Sequence, residues 1–262
     1  MSNTICRFLS QATGEASYGL IKDAEVFPIA PTQIFDSAPA PVRSAVGLAL
    51  SEVKLLAPVT PSKIVCVGRN YREHAAELGN PMPDAPLLFL KPPSAVVGHG
   101  DAIELPAVSA RVEHEGELGV VIGRRARRIG DNENSLDYVL GYTCVNDVTA
   151  RDLQRQDVQF TRAKSFDTFC PIGPYVVTGI DPFDLQVETR VNGETRQRGR
   201  TAAMAFPVAY LIRYISHIMT LEPGDVISTG TPAGVGPLAD GDVCDIEVER
   251  VGTLSNNVRA GM

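Results

Sequence analysis

Three glutamates, Glu113, Glu115 and Glu117, lie two positions apart within the stretch 111–123. On a β-strand, residues two apart point to the same face, so the three carboxylates would line one side of a strand. Two carboxylates about 4 Å apart repel each other by about 4 kcal/mol at an effective dielectric constant of 20. A solvated face would screen most of this repulsion, whereas a cleft would require a cation or a bound proton to offset it. The stretch alone leaves both interpretations open.

A histidine and a glutamate three positions apart, His74 and Glu77, could act together as a general base. Asn70 followed by Glu73 resembles a capping box, which predicts a helix over 71–79. On that helix the two side chains share a face, and a carboxylate beside an imidazole orients the ring and favours its protonated form. Solvated surface pairs often have the same spacing, so the catalytic role is one of two hypotheses.

Three further features carry groups that could bind an anion or a cation. Asp147 follows an apolar strand predicted over 139–145, where it could also simply mark the start of the next helix. Lys164 precedes an aromatic loop, and a lysine buried in such a loop would be a good partner for an anion. The glycines of the loop 230–236 could let backbone N–H groups approach an anion. This loop lacks the Lys-Ser/Thr ending of a phosphate-binding loop, which argues against a nucleotide site.

The composition is that of an ordinary globular protein of 262 residues, with 44% hydrophobic and 21% charged residues. The formal net charge of −7 disfavours nucleic-acid binding, which requires a basic face. No apolar run reaches the roughly 18 residues that span a bilayer, and no signal-peptide pattern is present. Five scattered cysteines without CxxC spacing argue against a zinc–thiolate site. We therefore expect a cytoplasmic protein with reduced thiols that binds neither nucleic acid nor membrane.

Many short strands and few short helices are predicted along the chain. This pattern predicts a mixed α+β fold built on rolled or sandwiched sheets, rather than a doubly wound parallel sheet. Residues 1–60 are predicted to form a small N-terminal β-rich domain, and residues 61–262 a larger domain that carries every candidate residue. The segment 57–61 contains two prolines, which favour extended backbone and make it a plausible linker.

Six stretches of the larger domain resemble, in the same order, motifs of the fumarylacetoacetate hydrolase family. Within the family, the resemblance is to bacterial acylpyruvase and 2-hydroxyhepta-2,4-diene-1,7-dioate isomerase-like members. The stretches are GRNYREHAAE (68–77), EGELGVVIG (115–123), NDVTARDLQ (146–154), KSFDTFCP (164–171), LEPGD (221–225) and TGTPAGVG (229–236). The resemblance implies that residues 61–262 adopt the mixed β-sandwich roll of the fumarylacetoacetase C-terminal domain. It also implies a homodimer.

The resemblance further implies roles for individual residues. Glu115, Glu117 and Asp147 match the family's metal ligands, usually for Mg²⁺ or Mn²⁺, and carboxylates without Cys or His suit such hard cations. Glu113 is not a ligand in the family pattern. His74 and Glu77 match a dyad that activates water from a lid helix. Residues near the substrate are implied at Lys164, which reaches the substrate oxygens, at Thr231, which holds the substrate carboxylate, and at Arg69, Tyr71, Arg151 and Gln154.

The leading hypothesis is a divalent-metal-dependent hydrolase that cleaves a C–C bond in a 2,4-dioxo acid such as an acylpyruvate or fumarylpyruvate. The metal would chelate the 1-carboxylate and the 2-oxo oxygen and stabilise the leaving enolate. His74, oriented by Glu77, would deprotonate the attacking water, and Lys164 would stabilise the developing negative charge.

Two alternatives stay open. An isomerase or decarboxylase of 2-hydroxymuconate-type diacids, or a decarboxylase or tautomerase of oxaloacetate, would need the same enolate but no attacking water. Ala202 bears on this alternative, because isomerase-like members often carry a serine there and the hydroxyl is absent from this chain. A non-catalytic β domain that binds Ca²⁺ or a partner protein would have no use for Lys164, the His74–Glu77 pair and Thr231 together.

Overall fold

The structure is a computed structural model that describes residues 2–10, 13–36, 39–42 and 46–261. The strands are β1 (Thr4–Ser10), β2 (Ala16–Lys22), β3 (Glu25–Ile29), β4 (Leu48–Ala49), β5 (Val53–Leu56), β6 (Ile64–Gly68), β7 (Leu87–Lys91), β8 (Val96–Val97), β9 (Ile103–Leu105), β10 (Val112–His114), β11 (Gly116–Ile122), β12 (Val139–Asn146), β13 (Thr149–Ala150), β14 (Cys170–Val177), β15 (Gln186–Val191), β16 (Glu194–Arg200), β17 (Val226–Ser228), β18 (Gly236–Pro237), β19 (Val243–Val248) and β20 (Gly252–Ala260). The α-helices are α1 (Arg72–Glu77), α2 (Arg151–Gln156), α3 (Thr161–Lys164) and α4 (Val208–Ile218).

The largest sheet joins the N-terminal strands to the strands that follow residue 60. Its order is β4-β3-β2-β1-β14-β12-β11-β17-β6-β7, with β5 paired to β1 and β8 paired to β14. Strand β1 runs antiparallel to β14, with Thr4 opposite Val177. Strand β11 lies between β12 and β17, and all seven of its residues are buried. The predicted domain boundary at residue 60 therefore falls between strands that share one sheet, and it stays a prediction.

A five-stranded sheet of order β16-β15-β19-β20-β9 packs against the large sheet. The two sheets approach closely where Gly116 of β11 faces Thr189 of β15, since a Cβ at Gly116 would come 2.2 Å from Thr189 Oγ1. Any larger residue at position 116 would push the sheets apart. Side chains from both sheets share one hydrophobic core, which includes Leu118, Val120, Val187, Ile246 and Leu254. This packing of mixed sheets beside few helices confirms the predicted α+β class.

The helices cover the outside of this arrangement. Helix α4 buries Leu211, Ile212 and Ile215 on one face, as its apolar stripe predicts. A third sheet, β13-β10-β18, links the segment before β11 to the loop that precedes β18, with His114 opposite Gly236. No helix within the described ranges is both long and apolar enough to cross a membrane.

Candidate active site

Three carboxylates predicted from the sequence lie together at one end of β11 and β12. Glu115 precedes β11, Glu117 is its second residue, and Asp147 follows β12. The antiparallel register pairs Gly116 with Asn146, and Asp147 N donates to Glu115 O at 2.9 Å. One carboxylate oxygen from each of the three acids lies within 4.8 Å of the others, and all three residues are buried. The cleft interpretation of the acidic stretch is therefore the one the structure supports.

Gly116 explains why its two neighbours, Glu115 and Glu117, face away from the second sheet. Its Cα hydrogen fills the narrow gap toward Thr189, so the side chains on either side of it point to the opposite face. The backbone is fixed here as well, because Glu115 N donates to Asn146 Oδ1 at 3.0 Å. The alternation predicts this shared face, and the sheet packing decides which face it is.

Two cationic side chains are paired with the carboxylates. Lys164 Nζ lies 2.7 Å from Glu115 Oε2 and 2.6 Å from Asp147 Oδ2. Arg151 donates from Nη2 to Glu115 Oε1 and from Nε to Glu113 Oε2, the latter at 2.6 Å. Glu113 also pairs with Arg111, so it anchors the arginine that holds Glu115 instead of joining the three-carboxylate cluster. This agrees with a supporting role for Glu113.

A third cation, Lys91, was missed by the sequence analysis. It ends β7, and its fully buried Nζ donates to Val148 O at 3.0 Å and to Lys164 O at 2.7 Å. The same Nζ lies 2.6 Å from Asp147 Oδ1 as an ion pair. A lysine at the end of the apolar run 87–91 was the available signal, because such a residue needs a buried acceptor if the strand is internal.

Burial and charge act differently on the two glutamates of the cluster. Burial disfavours ionisation of Glu115, but the charges of Lys164 and Arg151 outweigh it and hold the pKa of that carboxyl well below its usual range. Burial raises the pKa of Glu117 to about 8, and the negative charge of Asp147 adds to the shift. Glu117 accepts hydrogen bonds from Ser228 Oγ and Gly230 N, which oppose this rise without cancelling it.

The donor set fits a hard divalent cation. It consists of carboxylates alone, without the Cys or His ligands that softer metals prefer. Asp147 Oδ1 is buried and accepts no aligned hydrogen bond within the described chain, although Lys91 Nζ lies near it. A carboxylate oxygen has two lone pairs, so Oδ1 can face Lys91 Nζ and still coordinate a metal ion.

Metal binding by this cluster should depend on pH through Glu117. Its raised pKa means that the carboxyl carries a proton below about pH 8, and a cation must displace that proton. We expect the affinity of metal-stripped protein for Mn²⁺ to rise about tenfold per pH unit below that value and to level off above it. Calorimetric titrations on both sides of this pH measure the slope. Glu117→Gln should bind Mn²⁺ weakly, and its affinity should not change with pH. A pH-independent Mn²⁺ affinity of the unaltered protein would contradict the role of Glu117 as a ligand that must lose its proton.

The His74–Glu77 pair lies on α1 at the edge of the same site. His74 Nδ1 is 3.3 Å from Glu77 Oε2, and Glu77 Oε1 accepts from Gly234 N at 3.0 Å, which ties the helix to the loop 230–236.

The predicted capping box at Asn70 is wrong. The Asn70 side chain instead donates to Phe206 O and Thr229 O, and α1 begins after Tyr71 without a side-chain cap. Asn70 therefore connects the loop that contains Phe206 to the segment that contains Thr229.

A cavity of about 240 Å³ opens over the carboxylates. The predicted site residues that line it are Arg69, His74, Glu115, Glu117, Asp147, Arg151, Gln154, Lys164 and Thr231. Glu77 lies behind His74. Tyr71 does not line the cavity. It is buried, its hydroxyl has no hydrogen-bond partner in the described ranges, and burial raises its pKa. Contact of Tyr71 with a substrate stays a prediction.

The cavity mouth carries two arginines that the carboxylates do not neutralise. Arg69 and Arg155 line the cavity, and within the described residues neither forms an ion pair, unlike Arg151 and Lys164. Arg69 has φ of 57°, a backbone conformation that a non-glycine residue adopts only when its surroundings fix it. Arg155 was not predicted from the sequence. Ala202 contacts a separate apolar cavity, so its missing hydroxyl does not alter this one.

Comparisons with known proteins agree with this geometry. The family model described as fumarylacetoacetate (FAA) hydrolase C-terminal matches residues 63–259, and a model described as Rv2993c-like, N-terminal, matches residues 4–58. The chain is 50% identical over 224 residues to oxaloacetate tautomerase YisK of Bacillus subtilis, which covers 80% of this chain and 74% of that protein. It is 42% identical over 271 residues to mitochondrial oxaloacetate tautomerase FAHD2A of Bos taurus, which covers 98% of this chain and 80% of that protein.

Solved structures resemble the whole chain as well. A 5-carboxymethyl-2-hydroxymuconate delta-isomerase from Mycobacterium smegmatis has a TM-score of 0.89 and 43% sequence identity, covering 98% of this chain and 100% of that one. This similarity extends through both predicted domains. With the family match over residues 63–259, it shows that the chain belongs to the fumarylacetoacetate hydrolase family, as its six motifs predict.

Proposed function

We propose that the chain is a divalent-metal-dependent enzyme that interconverts the keto and enol forms of a 2-oxo dicarboxylic acid of the oxaloacetate type. The observation that carries this proposal is the buried cluster of Glu115, Glu117 and Asp147 in a cavity that four cationic side chains also line. Two relatives are named as oxaloacetate tautomerases and one structural neighbour as a hydroxymuconate isomerase. Both reaction types move a proton next to the carbonyl of an acid, so both need the enolate to be stabilised.

Glu115, Glu117 and Asp147 would hold Mg²⁺ or Mn²⁺. When bound, such a cation supplies Lewis-acid polarisation to oxygens that chelate it, here the carboxylate and the 2-oxo group of the acid. Lys164 donates a hydrogen bond to the oxygen that gains negative charge, and its position beside the carboxylates fixes it there before the reaction begins. Arg151 donates three hydrogen bonds, to Glu113, Glu115 and Gln154, so its main role is to hold Glu115.

We assign the moving proton to His74. In the keto-to-enol direction, a base takes a proton from C3, the C–H electron pair forms the C2–C3 double bond, and the 2-oxo oxygen takes up a proton. The imidazole can perform both transfers, because Nδ1 contacts Glu77 and Nε2 is left for the cavity. Lys164 is unsuited to be the base, because the charges of Asp147 and Glu115 outweigh burial and raise its pKa.

The arginines at the mouth favour a substrate with a second carboxylate. Four cationic side chains and three carboxylates line the cavity, so the lining keeps an excess positive charge that a divalent cation would increase further. A monocarboxylate would leave this charge largely unmatched, whereas a dicarboxylate can also reach Arg69 or Arg155. Phe89 and Phe160 provide an apolar wall for the carbon chain between the two ends.

An assay with purified protein and Mg²⁺ tests the proposal. We expect the ultraviolet absorbance of enol-oxaloacetate to decay faster than in protein-free buffer, and chelation of the metal to remove the acceleration. We expect Arg155→Gln to raise KM for oxaloacetate about tenfold, since a charge-assisted hydrogen bond is lost, while kcat changes little. No acceleration of enol-oxaloacetate decay in the presence of metal would contradict the proposed function.

Arg162→Gln is the matched control for Arg155. Arg162 is exposed, lies on neighbouring α3 and pairs with Asp157 away from the cavity. Its loss should leave KM unchanged, because it removes the same charge from the protein without touching the cavity. An equal effect of both variants would show that long-range charge, instead of a contact at the mouth, attracts the substrate.

Hydrolysis of a 2,4-dioxo acid such as an acylpyruvate is the second candidate. The His74–Glu77 contact favours it, because the same dyad could activate a water for attack on the distal carbonyl. Product analysis separates the two, since only hydrolysis releases a second carboxylic acid. The non-catalytic alternative has lost its basis, because the family consists of enzymes. A homodimer and a cytoplasmic location stay predictions.

A further inference from the structure

Gln197 lies behind the cavity, on β16 of the second sheet, and is almost completely buried. Its Oε1 accepts from His114 Nδ1 at 3.1 Å, from Gly116 N at 3.0 Å and from Thr189 Oγ1 at 2.8 Å. Its Nε2 donates to Thr231 Oγ1 at 2.8 Å and to Pro232 O at 2.7 Å. One amide group therefore makes five hydrogen bonds and has no unused donor.

Backbone groups fix the orientation of this amide. Gly116 N can only donate, so the atom that faces it must be the oxygen, and Pro232 O can only accept, so the atom that faces it must be the nitrogen. The nitrogen consequently donates to the hydroxyl of Thr231. That hydroxyl must send its own proton elsewhere, and it donates to Gly116 O at 2.8 Å. The hydroxyl of Thr231 thus has a single orientation.

Only one end of this hydrogen-bond network reaches the cavity. Thr231 lines the cavity, whereas Gln197 does not. Gly116 lies between Glu115 and Glu117, so the amide links the loop that carries Thr231 to the backbone segment 115–117, which carries two of the carboxylates. No other residue described in this loop has its side-chain hydroxyl tied to both β11 and the second sheet.

We infer that Gln197 is a positioning residue that fixes Thr231 and the loop 231–232 against β11, and so sets the distance between Thr231 and a ligand held at the carboxylates. This rests on the proposed function, because the ligand in question is the 2-oxo acid. Without the amide, the Thr231 hydroxyl keeps only its hydrogen bond to Gly116 O, and the loop loses its contact at Pro232. Ligand binding should then weaken more than the chemical step slows, since the groups that move the proton are untouched.

The test uses Gln197→Met, which keeps the length of the side chain and removes its hydrogen bonds. Oxalate serves as the probe, because it is stable and presents two adjacent oxygens like a carboxylate and its 2-oxo group. We expect oxalate to bind Mn²⁺-loaded Gln197→Met about tenfold more weakly by calorimetry, with a similar rise in KM for oxaloacetate and a much smaller change in kcat. Mn²⁺ affinity should change little, since the three carboxylates remain.

Two further experiments distinguish a positioning role of Gln197 from a simple loss of stability. Thr189→Ala removes one donor to the same oxygen but no contact to the loop, and it should bind oxalate normally. In a double-mutant cycle, Gln197→Met should weaken binding far less in a Thr231→Val background than in the unaltered chain, because both changes disrupt the same contact. Additive effects, or equal losses in Thr189→Ala and Gln197→Met, would overturn the inference. Failure of the unaltered protein to bind oxalate would instead contradict the proposed function, and the inference with it.

Discussion

Replacing Asp147 with asparagine is expected to lower turnover of the 2-oxo acid by at least about a thousandfold, because several kcal/mol of transition-state stabilisation depend on the cation it would hold. The amide keeps the shape of the side chain but removes its charge. Asp147 is also the carboxylate shared by Lys91 and Lys164, whose ammonium groups are both buried. The variant therefore leaves two buried cations with one fewer partner, and we expect it to lose about 3–5 kcal/mol of stability as well.

Two measurements distinguish loss of the metal from loss of the fold. Calorimetry should show that Asp147→Asn binds Mn²⁺ at least a hundredfold more weakly while circular dichroism still shows a cooperative unfolding transition at a lower temperature. Asp152→Asn is the matched control: Asp152 accepts hydrogen bonds from Ser109 Oγ and Ala110 N outside the cavity. It should keep both metal affinity and turnover. Near-normal Mn²⁺ affinity in Asp147→Asn would mean that this carboxylate is not a ligand.

The convergence of the carboxylates could be predicted in part from the sequence. Period-two spacing places Glu115 and Glu117 on one face of a strand, and this follows from strand geometry alone. The approach of Asp147 depends on the antiparallel register of β11 and β12, which pairs Gly116 with Asn146. Nothing local encodes that register, so the prediction of Asp147 as a metal ligand came from the family resemblance, and the pairing of β11 with β12 is the physical reason why it approaches the two glutamates.

Residues whose partners are distant in sequence were not predictable. Lys91 reaches Val148 and Lys164, and Gln197 reaches Gly116 and Thr231, across separations that only the packed sheets create. The error at Asn70 has the same origin. Its pattern with Glu73 satisfies a local rule for helix starts. In the fold, however, the Asn70 side chain donates to the buried carbonyl groups of Phe206 and Thr229, which would otherwise lose these hydrogen bonds at a cost in free energy.

Replacing His74 with alanine should lower the rate of tautomerisation about a hundred- to ten-thousandfold, the range that a positioned acid–base group contributes. KM should change little, because Arg69, Arg155 and the carboxylates remain. Glu77→Gln should have a smaller effect, since Glu77 is partly exposed and acts on the imidazole instead of on the substrate. His217→Ala is the control: His217 lies on α4, where Nε2 is 3.0 Å from Ile129 O and far from the cavity lining.

The pattern of losses also decides between the two candidate reactions. Parallel loss of tautomerisation and of acylpyruvate cleavage in His74→Ala would make the imidazole the common carrier of the proton, and added imidazole should then restore part of both rates. Loss of cleavage alone would restrict the dyad to water activation and would contradict our assignment of the C3 proton to His74. The C3 proton would then pass to a group other than the imidazole.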